Sequence, residues 1–405
     1  MTFDPQAVRA EFPVFDHRPR HFHYLDSAAT GQICRPAADA LVAFETTSRA
    51  NVKRSIYPLA EAATEAFDDA RRALGDYLGA ADPDEVIITS GTTLGINLFA
   101  HTFGARLGEG DEVVLSELEH HSNIVPWQLL RERCGIALKV LPVTADGRLD
   151  LEQLERVVTG RCRLIALTHV SNVTGAVTEV GRIVEAARAV GARVLLDGAQ
   201  RAPHGPLDLP ALGVDAYALS GHKMFGPTGA GALWVRRDLL DELPPFLGGG
   251  EMISRVTFAE TSYAVAPHRF EAGTPPIGAA IGMGAAAGWL AGLDWQAGAR
   301  HELRLTERIL DGLGQLPGIR ILGPSGLQGR IGVVSFEAEG AHAHDLCHLL
   351  GAQGVCLRGG HHCAQPLMDA FGLVATARAS LAPYNDDADI DAMLAGLEQA
   401  LALLR

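Results

Sequence analysis

The sequence runs to 405 residues, too long for one compact core, so two domains of unequal size are the default expectation. Lysine plus arginine number 34 against 48 aspartate plus glutamate, and the formal net charge of −14 argues against general nucleic-acid binding and against docking on an anionic membrane. With 47% hydrophobic and 20% charged residues, the chain falls outside the disordered class.

In chain order, the opening stretch MTFDPQAVRAEFPVFDHRPR has no apolar run of the secretory type, so a cytoplasmic protein is expected. Residues 1–20 are too few for a core of their own and are predicted to pack on the smaller domain. Strands are predicted at Glu85–Thr89, Asp111–Ser116, Leu164–Thr168, Arg193–Leu196, Ala216–Ser220 and Ala232–Val235. Amphipathic helices fall between them, at Thr64–Leu78, Ile124–Cys134 and Val180–Val190. This alternation predicts an α/β fold over residues 21–290, a large domain with a mostly parallel mixed sheet covered by helices.

From Ala272 to Leu293 there is no charged residue, and Gly278/Gly282 and Gly284/Gly288 have GxxxG spacing. Gly and Ala gain little in hydrocarbon, so a closely packed core helix is predicted there in place of a membrane span. Residues 291–405 read as a smaller α+β domain. Its elements are a helix Trp295–Leu316, strand Ile331–Phe336, helix Ala343–Leu350, strand Val355–Leu357, a short helix near Pro366–Phe371, strand Thr376–Leu381 and helix Asp387–Leu404.

In open α/β sheets ligands gather at the carboxyl ends of the strands, and three predicted strand ends carry chemistry. Ile87-Ile88-Thr89-Ser90-Gly91-Thr92-Thr93 leads into a helical run, an arrangement that aims free backbone N–H groups at an anion, although an ordinary capping turn has the same composition. Asp197, directly after a buried strand, is desolvated and needs either a cationic partner or a helix to cap. A protonated pyridine nitrogen would serve as that partner. Ser220-Gly221-His222-Lys223 puts an amine at a strand end before a Gly/Pro loop, where it can form a Schiff base with a carbonyl cofactor, while Ser220 and His222 can donate to phosphate. A lone lysine in a loop is usually a solvated charge. The order of phosphate turn, acid and lysine, each at a strand end, argues for pyridoxal 5'-phosphate (PLP).

Six cysteines are scattered without a CxxC, which suggests reduced thiols. Five of them, Cys34, Cys134, Cys162, Cys347 and Cys356, read as inert. Cys363 differs, because it lies in Arg358-Gly359-Gly360-His361-His362-Cys363-Ala364-Gln365-Pro366, a glycine-rich loop with basic neighbours ahead of a short helix, so it is the predicted nucleophile. Zinc ligation by His361, His362 and Cys363, or by His342, His344, Cys347 and His348, lacks a zinc-finger or HExxH spacing, and no metal is expected.

Ser-Gly-His-Lys at 220–223, Asp-Gly-Ala-Gln at 197–200, Gly-Thr-Thr at 91–93 and Glu-His-His-Ser-Asn at 119–123 together resemble the aminotransferase class V group of fold-type I PLP enzymes. The Arg-x-Gly-His-His-Cys-Ala segment narrows this to group II cysteine desulfurases and selenocysteine lyases. The likeness spans nearly the whole chain, from Tyr24-Leu25-Asp26-Ser27-Ala28-Ala29 to Arg378-Ala379-Ser380.

By that resemblance His120 stacks on the pyridine ring, Asp197 pairs with its nitrogen and Gln200 bonds its phenolic oxygen. Thr92, Thr93, Ser220 and His222 hold the phosphate, and Thr274 is contributed by a partner subunit, which implies a homodimer. Arg378 grips the substrate carboxylate with help from Asn172, and Arg358 and Arg54 complete the substrate-binding set. Lys223 removes the Cα proton of L-cysteine, Cys363 takes the sulfur as a persulfide, alanine leaves, and an acceptor protein receives the sulfur for iron–sulfur cluster or thio-cofactor assembly.

One segment departs from the family pattern: Lys53-Arg54-Ser55-Ile56-Tyr57 stands where the family usually shows His-Arg-x-x-His. The alternatives are a lyase selective for selenocysteine, a kynureninase- or epimerase-like class V enzyme needing no Cys363, and a non-catalytic sulfur carrier.

Overall fold

A computed structural model describes residues 3–19 and 21–405, so residues 1, 2 and 20 of the predicted N-terminal segment lie outside the described ones. A seven-stranded sheet forms the centre. Across the sheet the strands run Val86–Thr89, Gly231–Val235, Ala216–Ser220, Arg193–Asp197, Cys162–Thr168, Glu112–Ser116 and Ala137–Leu141. Only Gly231–Val235 runs against its neighbours, and the other pairings are parallel. The predicted mostly parallel mixed sheet is therefore the observed one. The strands from Val86–Thr89 through Glu112–Ser116 are almost wholly buried, because helices cover both faces. The edge strand Ala137–Leu141 was not predicted, and its half-exposed Ala-Leu-Lys-Val-Leu has no continuous apolar run to mark it.

The smaller unit carries an antiparallel sheet in the order Ile319–Leu322, Val333–Ala338, Thr376–Ser380 and Arg358–Gly360. The predicted strand at Val355–Leu357 resolves into two: Val355–Cys356 pairs in parallel with His23–Tyr24, and Arg358–Gly360 joins the sheet beside Thr376–Ser380. Helices Trp295–Gln315, Ala343–Ala352 and Asp387–Leu404 supply apolar side chains to its core, among them Ile309, Leu346 and Leu397. The N-terminal segment reaches both units. Phe12 is buried edge-on against Phe225, Trp289 and Tyr384, and Arg9 bonds the Tyr384 carbonyl and pairs with Asp389.

The charge-free stretch forms a helix from Ile277 to Ala291, packed against helix Pro58–Leu78. Three of its glycines, Gly278, Gly282 and Gly284, are close-approach residues, whereas Gly288 faces open space: a Cβ on Gly284 would sit 2.5 Å from the Ala70 Cα. No single helix among the described residues is long and apolar enough to cross a membrane. In this interior lies a buried ion pair, Arg71 forked onto Glu271 at 2.7 and 2.8 Å, and Glu271 also accepts the Ile88 N–H at 2.7 Å. Helix Pro58–Leu78, the strand leading to the phosphate turn and the segment before Thr274 are thereby tied together.

Burial alone would raise the Glu271 carboxyl, but the Arg71 charge holds it at about 2. Glu271→Ala leaves Arg71 buried without a partner and is expected to cost about 3–5 kcal/mol at neutral pH. The folded pKa lies below the ordinary 4.5, so the pair's contribution is present above pH 4.5 and fades as pH falls through about 2. Urea unfolding at neutral pH should show a clear loss in the variant, and the gap should narrow in acid. Equal midpoints at neutral pH would contradict this account.

Candidate active site

Five strand ends of the large sheet, residues 28 and 29, and Arg358, His362, Cys363 and Arg378 of the smaller unit enclose a cavity of about 180 Å³. Strand Val86–Thr89 ends at Gly91, whose φ of 148° leads into helix Thr92–Thr102. The Thr92 N–H donates to Ser220 Oγ at 2.9 Å, and the two hydroxyls lie 2.8 Å apart. Gly231 permits this approach, since a Cβ there would be 2.4 Å from the Gly91 Cα. Thr93, Ser220 and His222 share the cavity wall, and the Thr30 hydroxyl orients His222 through Nδ1 at 2.9 Å. Helix N–H groups, hydroxyls and an imidazole together form a set of phosphate donors.

Asp197 ends the central strand, is buried, and accepts the Ala199 N–H at 3.0 Å. Among the described residues it has no ion-pair partner within 4.0 Å, although Lys223 is close enough to act on it electrostatically. Burial pushes its carboxyl up, against the pull of the Lys223 charge. A buried acid with unused lone pairs facing a cavity fits the protonated ring nitrogen of PLP, so the residues present suit that cofactor. Gln200 donates to the Ala28 carbonyl at 2.8 Å, which fixes its amide at the same wall.

His120 is held as one tautomer. The Ser122 N–H donates to its Nδ1 at 3.1 Å and the Ser122 hydroxyl lies 2.8 Å away, so the ring proton sits on Nε2. Burial and then the Lys223 charge push its pKa down to about 3, and the ring is neutral across the physiological range. The Lys223 amine is pushed down to about 8, chiefly by burial; Asp197 opposes the shift, while Arg378 and Arg358 add to it.

Cys363 reaches the cavity from the smaller unit, two residues before helix Gln365–Phe371. Burial pushes the Cys34 thiol up to about 11 and those of Cys162 and Cys347 to about 12, which makes them inert. Of the six cysteines, Cys363 is the one that lines the cavity. Arg378 is buried, with one terminal nitrogen on the Asn172 carbonyl and the other on Asp26, both at 2.9 Å. Its Nε is buried without a partner. Asn172 lines the cavity with Arg378, and its side-chain amide donates to the His362 carbonyl at 2.8 Å and so braces the cysteine loop. Arg358 lines the same wall, opposite Arg378 in the sheet register.

Two predicted residues lie outside this cavity. Arg54 is ion-paired with Glu251, and Thr274 lines a separate surface pocket with Leu41, Glu45 and Pro227. Lys53 of the departing segment pairs with Asp68 at 3.2 Å and lies 3.3 Å from His268, while Tyr57 caps helix Pro58–Leu78 as a half-exposed residue.

Sequence reasoning assigned no role to Asp26, Thr30, Ser122 or His121. Asp26 and His121 stood inside quoted motifs, but their partners are 352 and 244 residues away in the chain. Glu119, buried under the site between Ser116 and Asn123, was also passed over; burial raises its carboxyl to about 8.

A neutral amine is the form that condenses with an aldehyde. The rate at which apoprotein takes up PLP should therefore rise with pH through about 8, well below the ordinary lysine value of 10.5. Asp197→Asn removes the carboxylate that supports the ammonium and should move that midpoint lower. Stopped-flow absorbance reads it, and a wild-type midpoint near 10.5 would contradict the described surroundings of Lys223.

The aminotransferase class-V family model matches residues 23–393. A Streptomyces coelicolor protein named probable cysteine desulfurase is 44% identical over 403 residues, covering 98% of this chain and 96% of the relative. The solved structure of the cysteine desulfurase CsdA from Escherichia coli, in its S-sulfonic acid form, superposes with a TM-score of 0.93 at 37% identity, covering all of both chains. A C-DES mutant solved with glycine covalently linked to its PLP cofactor gives a TM-score of 0.81 at 27% identity over 96% of this chain and 98% of that one.

Proposed function

The chain belongs to the class V aminotransferase family, and on that footing we propose that it is a PLP-dependent cysteine desulfurase whose persulfide carrier is Cys363. The observation that carries the reading is the presence of one thiol, Cys363, on the wall that also holds Lys223, Asp197 and His120. A kynureninase- or epimerase-like enzyme has no use for it.

The cofactor, when bound, supplies an electron sink for charge developing at the substrate Cα. The chain's own residues do the rest. Thr92, Thr93, Ser220 and His222 would hold the phosphate, the Asp197 carboxylate would accept from the protonated ring nitrogen, and Gln200 would donate to the phenolic oxygen. His120, neutral with its proton on Nε2, would add no charge beside the ring. The Arg378 guanidinium binds the substrate carboxylate, with its unpartnered Nε as a free donor and Arg358 beside it. Lys223, with an amine pKa near 8, takes the Cα proton and returns one to the product.

The Cys363 thiol accepts the sulfur. The Cβ–S bond of L-cysteine breaks as an S–S bond forms at Cys363; the bonding pair stays on Cβ, which takes up a proton matching the one the Cys363 thiol gives up, so the carbon fragment leaves reduced as L-alanine and the two sulfurs share the oxidation. The persulfide then passes to an acceptor protein for iron–sulfur cluster or thio-cofactor assembly. Six free thiols accord with the reducing cytoplasm as the place of work. Thr274 and Arg54, lying outside this cavity, serve the site of a second copy in a homodimer. The working division is an N-terminal segment at residues 1–20, a cofactor domain at 21–290 and a domain at 291–405 that carries the thiol.

Cys363→Ser should leave the visible absorbance of the PLP-loaded protein unchanged and lower sulfur release from L-cysteine by about 10²-fold or more. Sulfide production at the wild-type rate would remove Cys363 from the mechanism.

A further inference from the structure

The turn that presents His120 to the cavity also grips the loop that carries Cys363. The His121 N–H donates to the Cys363 carbonyl at 2.8 Å, and His121 Nε2 accepts the Gln365 N–H at 3.1 Å. Inside the loop, the Cys363 N–H donates to His361 Nδ1 at 3.1 Å. The two rings lie 5.6 Å apart between centroids.

This grip has backbone strain to oppose. His362 and Cys363 have φ of 54° and 56°, consecutive left-handed residues with side chains, and such a pair persists only where its surroundings over-determine it. Asn172 holds the His362 carbonyl, and Thr376 Oγ1 lies 2.9 Å from His362 Nε2. Those contacts fix residue 362. Of the contacts that fix 363 to 365, two are backbone bonds, the His121 N–H to the Cys363 carbonyl and the Ala364 N–H to the His361 carbonyl at 2.9 Å, and two end on the His121 and His361 rings, where a nitrogen accepts an N–H only while it carries no proton of its own.

We propose that His121 is a positioning residue for the Cys363 loop, acting as a neutral imidazole that accepts the Gln365 N–H beside the Cys363–His361 contact, so that protonation of His121 loosens the nucleophile's loop. The proposal rests on the desulfurase reading for its consequence but on hydrogen bonds alone for its geometry. The titratable groups facing His121 are His361 and Cys363 from the loop and His120 on its own turn. Burial and then the His361 charge hold the His121 pKa below the ordinary imidazole value, so the clasp is closed at neutral pH and opens in acid. His120, neutral throughout, takes no part in the switch.

The test is hydrogen–deuterium exchange, read at the Cys363 and Gln365 amides of full-length, PLP-loaded protein without substrate, across the acidic to neutral range and corrected for intrinsic exchange. His121→Ala should speed exchange at Gln365 by about tenfold, the loss of one hydrogen bond. His121→Gln, whose amide oxygen can stand near the position of Nε2, should restore protection and make it independent of pH. Wild-type protection should fall as the solution is taken from neutral into acid, below the range where an ordinary imidazole titrates. Equal protection of Gln365 in wild type and His121→Ala, or wild-type protection that does not change with pH, would overturn the proposal. Because no turnover is measured, that failure would leave the desulfurase reading standing, and a failure to release alanine from L-cysteine would leave the clasp intact.

Discussion

The site depends on a carboxylate taken out of water. Asp197 ends a strand with buried neighbours on both sides, and one backbone N–H is a poor substitute for the hydration it has lost. The cavity holds a basic lysine near it without joining the two in a close pair. Each therefore remains available, the acid to a cationic ring nitrogen and the amine to a carbonyl. Had the two been brought into contact, the mutual attraction would have spent both. The same desolvation lowers the Lys223 amine, neutralises His120 and explains why this stretch of sheet is chemically alive while the rest is core.

Around that centre the fold brings donors from distant parts of the chain to one point. Parallel strands deliver their carboxyl ends to a common edge, so Thr89, Thr168, Asp197 and Ser220 converge although they are far apart in sequence. The antiparallel sheet approaches from the other side and delivers Arg358, Cys363 and Arg378. Asp26 and the Asn172 carbonyl orient Arg378, while the Asn172 side chain and His121 hold the cysteine loop. Anion recognition and nucleophile placement thus share one bracing network.

Much of this was legible in the sequence, for stated physical reasons. Buried parallel strands write themselves as continuous apolar runs, so Ala216–Ser220 and its neighbours were located to within a residue or two. The chemical residues followed directly after those runs. What could not be read had no local signature. Edge strands Ala137–Leu141 and Ile319–Leu322 alternate weakly, and the hairpin of Ile253–Val256 and Thr261–Tyr263 is exposed on both faces. Asp26, Thr30 and His121 act through contacts closed only by the tertiary fold. Asn172 was recognised as a site residue, but its side-chain partner, a backbone carbonyl on the cysteine loop, was invisible without coordinates.

The central claim is that sulfur leaves L-cysteine and lodges on one thiol. Mass spectrometry of the PLP-loaded protein after a single turnover with L-cysteine, with alanine measured in the same sample, tests it most directly. The account predicts one alanine per site and a peptide bearing Cys363 heavier by one sulfur atom. Alanine formed with the added sulfur on another cysteine, or no alanine at all, would contradict it.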